Sequence, residues 1–253
     1  MVKVRYSIML CSECSKPVVP VVAIDIDGTL GDYHGHFLKF AEDYLGKPRG
    51  FSGEQVDVTR IQSPKREYVA GLPLYDGSKG FKTWFLGHFH TSERTWNDIK
   101  LAYRQGGMKR SMPVYEFATE LCRAVRSNGA ELWLTTTRPY LRLDNVDPDT
   151  RFWLDRHGIE FDGLLYDEFK YARLAEYVDR YRVVAIVDDL PEMIEAASRY
   201  FDWRVPILRT NWYNRATVTE PTYDTLDAVA IEVTKRIETW KRNHDDASIH
   251  SDA

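Results

Sequence analysis

The sequence predicts an α/β fold: a Rossmann-like parallel sheet with helices on both faces and a small helical insertion after the first strand. Three observations predict it. Short apolar runs alternate with stretches of helical period along most of the chain, the pattern of a parallel sheet covered on both sides. The run V-V-A-I-D-I-D-G-T-L at 21–30 is apolar until two carboxylates, Asp25 and Asp27, end it, as in a buried central strand with a polar tip. Between 46 and 111 the alternation stops and aromatic helical patterns replace it.

Length and composition, 253 residues of which 43% are hydrophobic, suffice for one full core and an insertion. An N-terminal segment, 1–20, precedes the core of 21–45 and 112–244; 46–111 forms the helical cap, and 245–253 reads as a disordered tail. A helix is expected over 32–47, with Phe37, Leu38, Phe40, Ala41, Tyr44 and Leu45 on one side and Gly46 and Pro48 ending it. Residues 51–79 are rich in Gly, Pro, Ser and charge without a sustained period, and two aromatic-rich helices follow over 80–89 and 92–105. Pro113 restarts the alternation. Val114, Phe117, Ala118, Leu121, Cys122 and Val125 stripe a helix that Asn128-Gly129 caps, and a strand follows over 131–136. Asp147-Pro148 opens a helix closed by Gly158; next come a strand at 163–166, a helix at 170–177 and a strand at 183–187 that ends in Asp188-Asp189. Pro191 begins another helix, 205–208 forms a last strand, and Leu226, Val229, Val233, Ile237 and Trp240 stripe a long terminal helix.

The formal net charge of −4 disfavours a nucleic-acid partner and favours a small substrate. No apolar run reaches the length of a membrane span, and the first residues lack a cleavage site, so a cytoplasmic protein with no membrane partner is expected. A homodimer is compatible with all of this. Cys11 and Cys14 form a C-x-x-C with no second half of a zinc site beyond the nearby His34 and His36. They read as thiols of a loosely held segment, with metal or redox use as the alternative, and Cys122 reads as a small core residue.

In a parallel sheet the carboxyl ends of the strands share one edge. That edge would present Asp25 with Asp27, then Thr135 to Arg138, then Asp188 with Asp189, while Lys170 starts a helix just past a strand end. Taken singly, the threonines could be plain strand, the lysine solvated and the paired acids a helix cap. Together, four carboxylates, a hydroxyl and an ammonium suit Mg²⁺ and a phosphoryl group, because cations offset the charge on the transferring oxygens. Trp84, Phe85 and Trp96 read as the small core of the cap, with a base-stacking wall as the alternative. Lys109 and Arg110 read as surface charge, with contact to a second phosphate as the alternative, and His88 and His90 as polar-face residues.

D-I-D-G-T-L, L-W-L-T-T-T-R-P, Lys170 and V-A-I-V-D-D-L-P-E stand in the order of the four motifs of the haloacid dehalogenase-like (HAD) hydrolases, which the chain resembles from about 21 to 214 outside most of the insertion. The resemblance implies that Asp25 attacks phosphorus and that Asp27 acts as acid and then base. It implies that Thr136, with Thr137 and Lys170, binds the phosphoryl group, and that Asp25, Asp27 through its backbone carbonyl, Asp188 and Asp189 hold Mg²⁺. An insertion after the first motif is where the superfamily carries its smaller cap. The layout is most similar to 5′(3′)-deoxyribonucleotidases, on P-V-Y-E-F, T-R-F-W-L-D-R-H-G-I and W-R-V-P-I-L-R-T-N-W-Y-N. The chain departs from them at Met108, Lys109 and Arg110, where they carry an aromatic pair, so base-stacking residues are not carried over. The expected activity is a Mg²⁺-dependent phosphomonoesterase acting on a small-molecule phosphomonoester, a deoxyribonucleoside 5′-monophosphate first. A polynucleotide 3′-phosphate end or a sugar phosphate is the alternative substrate, and an inactive binding scaffold the remaining class. Arg138, in the second motif, joins Trp84, Phe85, Trp96, Lys109 and Arg110 as a candidate substrate contact.

Overall fold

The computed structural model of the chain describes residues 18–46, 77–139, 143–211, 213–214 and 223–249. Cys11, Cys14 and the irregular stretch 51–76 lie outside the described residues. Five parallel strands, β1 (Val21–Asp25), β2 (Glu131–Thr136), β3 (Gly163–Tyr166), β4 (Val183–Asp188) and β5 (Pro206–Leu208), lie in the order β3-β2-β1-β4-β5. β1 is central and every one of its residues is buried, which is why it reads as an unbroken apolar run. Its neighbours β2 and β4 come from later parts of the chain, so the order reverses at β1 and leaves a crevice at its carboxyl end.

Between the strands, α1 (Tyr33–Gly46), α2 (Gly77–His88) and α3 (Glu93–Gln105) precede a 3₁₀ turn, Met108–Ser111; α4 (Ala118–Ser127), α5 (Val146–Arg156), α6 (Lys170–Tyr177), α7 (Pro191–Ser198) and α8 (Leu226–Ile249) follow. One sheet face packs Val22, Ile24, Leu132 and Leu134 against α4, α5 and α8; the other packs Val21 and Ala23 against Tyr171, Leu174 and Ala197 of α6 and α7. No helix among the described residues is long and apolar enough to cross a membrane.

Two elements differ from the sequence expectation. α4 begins at Ala118, because Val114 bridges Gly31, Tyr115 N–H donates to the Leu30 carbonyl and Asp32 N–H donates to the Pro113 carbonyl, both at 2.8 Å. These bonds occupy the backbone that would have made the first turn, and Phe117, placed in the buried stripe by its spacing, sits exposed at φ 63°. The terminal helix runs to Ile249, into the segment expected as a tail, with no Gly or Pro from Leu226 onward to stop it.

α1, α2 and α3 share an aromatic cluster of Phe37, Phe81, Phe85, Trp96 and Tyr103, with Phe85 and Trp96 ring centroids 4.6 Å apart in an edge-to-face contact. His36, fully buried on α1, pairs Nδ1 with the Tyr103 hydroxyl at 2.8 Å, and its Nε2 has no partner among the described residues. Burial, helped by the Lys109 charge, pulls its pKa down from 6.5 to about 4. The unfolded imidazole therefore takes up a proton that the folded one refuses, so His36 costs nothing above pH ~6.5 and destabilises the fold progressively as pH falls toward 4. Denaturant titrations should show wild-type protein losing stability over this range more steeply than His36→Leu; equal slopes would exclude the effect.

Candidate active site

β1 and β4 run side by side, with Ile24 opposite Val187, so Asp25 and Asp188 end adjacent strands and Asp189 follows at once. Oxygens from the three carboxylates all lie within 4.8 Å of one another, and all three residues are buried. Lys170, at the first position of α6 and 1% exposed, donates to Asp25 Oδ1 and reaches Asp188 Oδ2 at 2.7 Å. Tyr171 donates its hydroxyl to Asp188 as well, and Leu190 N–H caps the other Asp188 oxygen at 2.9 Å. Asp189 accepts from the Thr29 hydroxyl at 3.0 Å and from Tyr213, while Asn214 Nδ2 donates to its backbone carbonyl at 2.6 Å.

One ammonium thus faces three carboxylates away from water. Burial pushes the Asp25 carboxyl well above its usual range; Lys170 opposes this, and the neighbouring Asp188 and Asp189 charges add to it. For the same reasons, burial first and Asp188 second, Asp189 rises to about 7. Such a group is at ease only with more positive charge. Three carboxylates with no nitrogen or sulfur donor among them suit a hard divalent cation that keeps part of its water shell.

Asp27, grouped with these acids by its spacing, turns its carboxylate elsewhere. Arg138 forks onto it, Nε to Oδ2 at 3.0 Å and Nη2 to Oδ1 at 2.6 Å, and Lys109 Nζ reaches Oδ2 at 2.5 Å. Burial alone would raise this carboxyl, but Arg138 and then Lys109 outweigh it and hold it well below the usual carboxylate range. Two cations share one partly buried carboxylate, and only the lysine can yield a proton. Burial, offset by Asp27 and reinforced by Arg138, draws Lys109 down to about 7. The surface reading of Lys109 is therefore corrected: it is 6% exposed, and its ammonium lies 3.9 Å from the Tyr33 ring centroid. Arg110, half-exposed, pairs with Asp149 at 3.5 Å and covers the Phe152 ring instead of facing the acids.

Thr136 Oγ1 accepts from Arg138 N–H at 3.3 Å, and Thr137 is exposed. Thr135, one position earlier and paired in register with Asp25, holds a buried hydroxyl with no partner among the described residues. A cavity of about 140 Å³ opens beside Asp27, lined by Lys109, Arg138 and Thr137 and by the aromatic residues Tyr33, Phe81 and Trp96. Of the three aromatics singled out in the sequence, only Trp96 borders it. Phe85 is fully buried in the cluster, and Trp84 stacks on Phe81 and His88. Tyr33, His34 and Phe81 line the cavity and were not distinguished by spacing, since core and wall positions of a helix repeat alike.

The segment after β5 braces the turn that follows β1. Arg209 Nη1 donates to the Gly28 carbonyl at 2.7 Å, Asn211 Nδ2 does so at 3.2 Å, and the Tyr213 hydroxyl that bonds Asp189 lies 3.2 Å from the same oxygen. Polar residues just past a strand's carboxyl end were the available signal. Gly28 adopts φ +99°, and a Cβ there would overlap the Asp189 carboxylate and stand 2.6 Å from the Tyr213 oxygen. Gly28→Ala should cost about 1–3 kcal/mol of stability and shrink the rise in Tm that a divalent cation brings. A full Tm rise in the variant would show that Asp189 is not held in this way.

No protein-family profile matches the sequence, and no curated protein matches it. Solved structures do match its fold. A predicted phosphatase from Clostridium acetobutylicum superposes with a TM-score of 0.53 at 14% identity, over 87% of this chain and all of that one. A HAD-family hydrolase from Deinococcus radiodurans, solved with bound phosphate and sodium, gives 0.51 at 11% identity over 87% of this chain and 96% of the other. A predicted phosphoglycolate phosphatase from Haemophilus somnus gives 0.51 at 14% identity, covering 86% and 99%. With the strand order and the acid-tipped edge, these likenesses identify the architecture of the chain as the HAD hydrolase fold.

Proposed function

We propose that the chain is a Mg²⁺-dependent phosphomonoesterase that works through an aspartyl phosphate on Asp25 and takes a nucleotide as substrate. The observation that carries this reading is the separation of two acids only two residues apart. Asp25 lies among carboxylates and one lysine, whereas Asp27 is held by two cations at the cavity wall. Carboxyls in such different surroundings can take different tasks, and a cation held beside Asp25 would favour its charged, nucleophilic form.

Asp25, Asp188 and Asp189, with the backbone carbonyl of Asp27, would hold Mg²⁺, which supplies positive charge to the transferring oxygens. An Asp25 oxygen attacks phosphorus, the bond from phosphorus to the leaving oxygen breaks, and Asp27 protonates that oxygen. Asp27 then takes a proton from the water that attacks the aspartyl phosphate, which releases inorganic phosphate and restores Asp25. A phosphoryl dianion arriving beside Asp27 competes for Arg138 and Lys109 and adds negative charge, and both effects raise the affinity of Asp27 for the proton it must deliver. Lys170 and Thr136, with Thr137 at the rim, receive the phosphoryl oxygens. The aromatic wall of Tyr33, Phe81 and Trp96 favours a flat leaving group over a bare sugar, and the insertion of 46–111, with α2 and α3, acts as its cap.

A phosphomonoester panel tests the reading. Turnover should need Mg²⁺ and vanish with a chelator; Asp25→Asn should fall to background, and Asp27→Asn should lose about 10²- to 10⁴-fold in kcat. Turnover of sugar phosphates with none of any nucleotide would remove the nucleotide. Absence of turnover across the panel would remove the enzyme.

A further inference from the structure

We infer that the ligand of this cavity carries a second anionic group, received by Lys100 and Arg104 at the outer end. The inference rests on the nucleotide phosphatase reading for what occupies the inner end. Among the described residues, four cationic side chains, Lys100, Arg104, Lys109 and Arg138, line the cavity together with a single carboxylate, Asp27. The inner two are matched by Asp27, and Lys170 beyond them is matched by Asp25 and Asp188. The outer two have no carboxylate within ion-pair reach among the described residues. Lys100 instead lies 5.2 Å from the Trp96 ring centroid, and the Arg104 backbone carbonyl accepts from Asn145 Nδ2 at 2.7 Å.

Their placement is unfavourable without a ligand. Lys100 and Arg104 stand one turn apart on α3, where like charges oppose each other. Burial first, then the Arg104 charge, pulls the Lys100 ammonium down to about 8. Both residues also line a second recess of about 330 Å³, bounded by Asn97, Leu101, Pro139 and Leu143. They therefore line both recesses; Lys100 stands against the Trp96 ring, as Lys109 stands against the Tyr33 ring, and both rings line the cavity with Asp27. Aromatic rings flanked by two pairs of cations suit a nucleoside with phosphate at both ends. A nucleoside bisphosphate and the 3′-phosphorylated end of an oligonucleotide, whose next phosphodiester supplies the second charge, share this chemistry.

The test is calorimetric binding to the whole chain with Mg²⁺ chelated, so that ligands stay intact, using adenosine 5′-monophosphate, adenosine 3′-monophosphate and adenosine 3′,5′-bisphosphate. The bisphosphate should bind roughly tenfold or more tightly than either monophosphate. That ratio should fall toward one in Lys100→Gln and in Arg104→Gln, which keep good helix formers on α3, and should survive in Lys100→Arg. A ratio near one in wild type, or an unchanged ratio in both Gln variants, overturns the inference. A series of 3′-phosphorylated oligonucleotides separates the two sources. Affinity that climbs beyond the second phosphate, with a steep salt dependence, assigns the site to a polynucleotide end; a plateau at two phosphates assigns it to the small bisphosphate. Because binding is read without turnover, a preference for the bisphosphate in a protein that hydrolyses no phosphomonoester upholds this inference while sinking the enzyme reading. An active phosphatase with a ratio near one does the reverse.

Discussion

Mutual repulsion among Asp25, Asp188 and Asp189 is the constraint to which the rest of the structure answers. At the separations found, two buried carboxylates oppose each other by on the order of 3 kcal/mol at an effective interior dielectric of about 20. Lys170 offsets part of this; the hydroxyls of Thr29, Tyr171 and Tyr213 and the Leu190 amide supply hydrogen bonds that favour the charged forms. What they leave unbalanced is a demand for positive charge. A hard divalent cation would meet that demand.

Two residues along, the same side chain meets the opposite field. Past the end of β1 the chain turns at Gly28, and Asp27 swings away from the acids to Arg138 and Lys109. The turn is held from a distance: Arg209, Asn211 and Tyr213 converge on the Gly28 carbonyl, while Tyr213 also grips Asp189. A single polar segment after β5 therefore couples the geometry of the first and last acids. The segment just before α4, bonded to the loop after Gly28 through Val114 and Tyr115, completes the brace on the other side.

The aromatic cluster has two duties. Phe37, Phe85 and Tyr103 form a small core for α1, α2 and α3, and Phe81 and Trp96 at its margin become cavity wall. Lys109 enters from the turn after α3, where Gly107 takes a left-handed conformation. The helices that close the cavity thus also supply one of the charges that hold Asp27.

Local pattern alone determined most of the strands and helices and which residues end the strands. β2, β3 and α6 fall where apolar runs and helical period put them, because burial of a strand and of one helix face leaves a short-range trace. The convergence of Asp25 with Asp188 was legible too, since parallel strands bring their carboxyl ends to one side whatever the loops do. Tertiary structure decided the rest: that Asp27 faces cations instead of the acid cluster, that Lys109 is buried, that Phe117 is not, and that Tyr213 reaches Asp189. Asp27 is separated by 82 residues from Lys109 and by 111 from Arg138, and Gly28 by 185 from Tyr213. Partners that far apart leave no periodicity in the chain, so their choice appears only once the sheet has brought them to one edge.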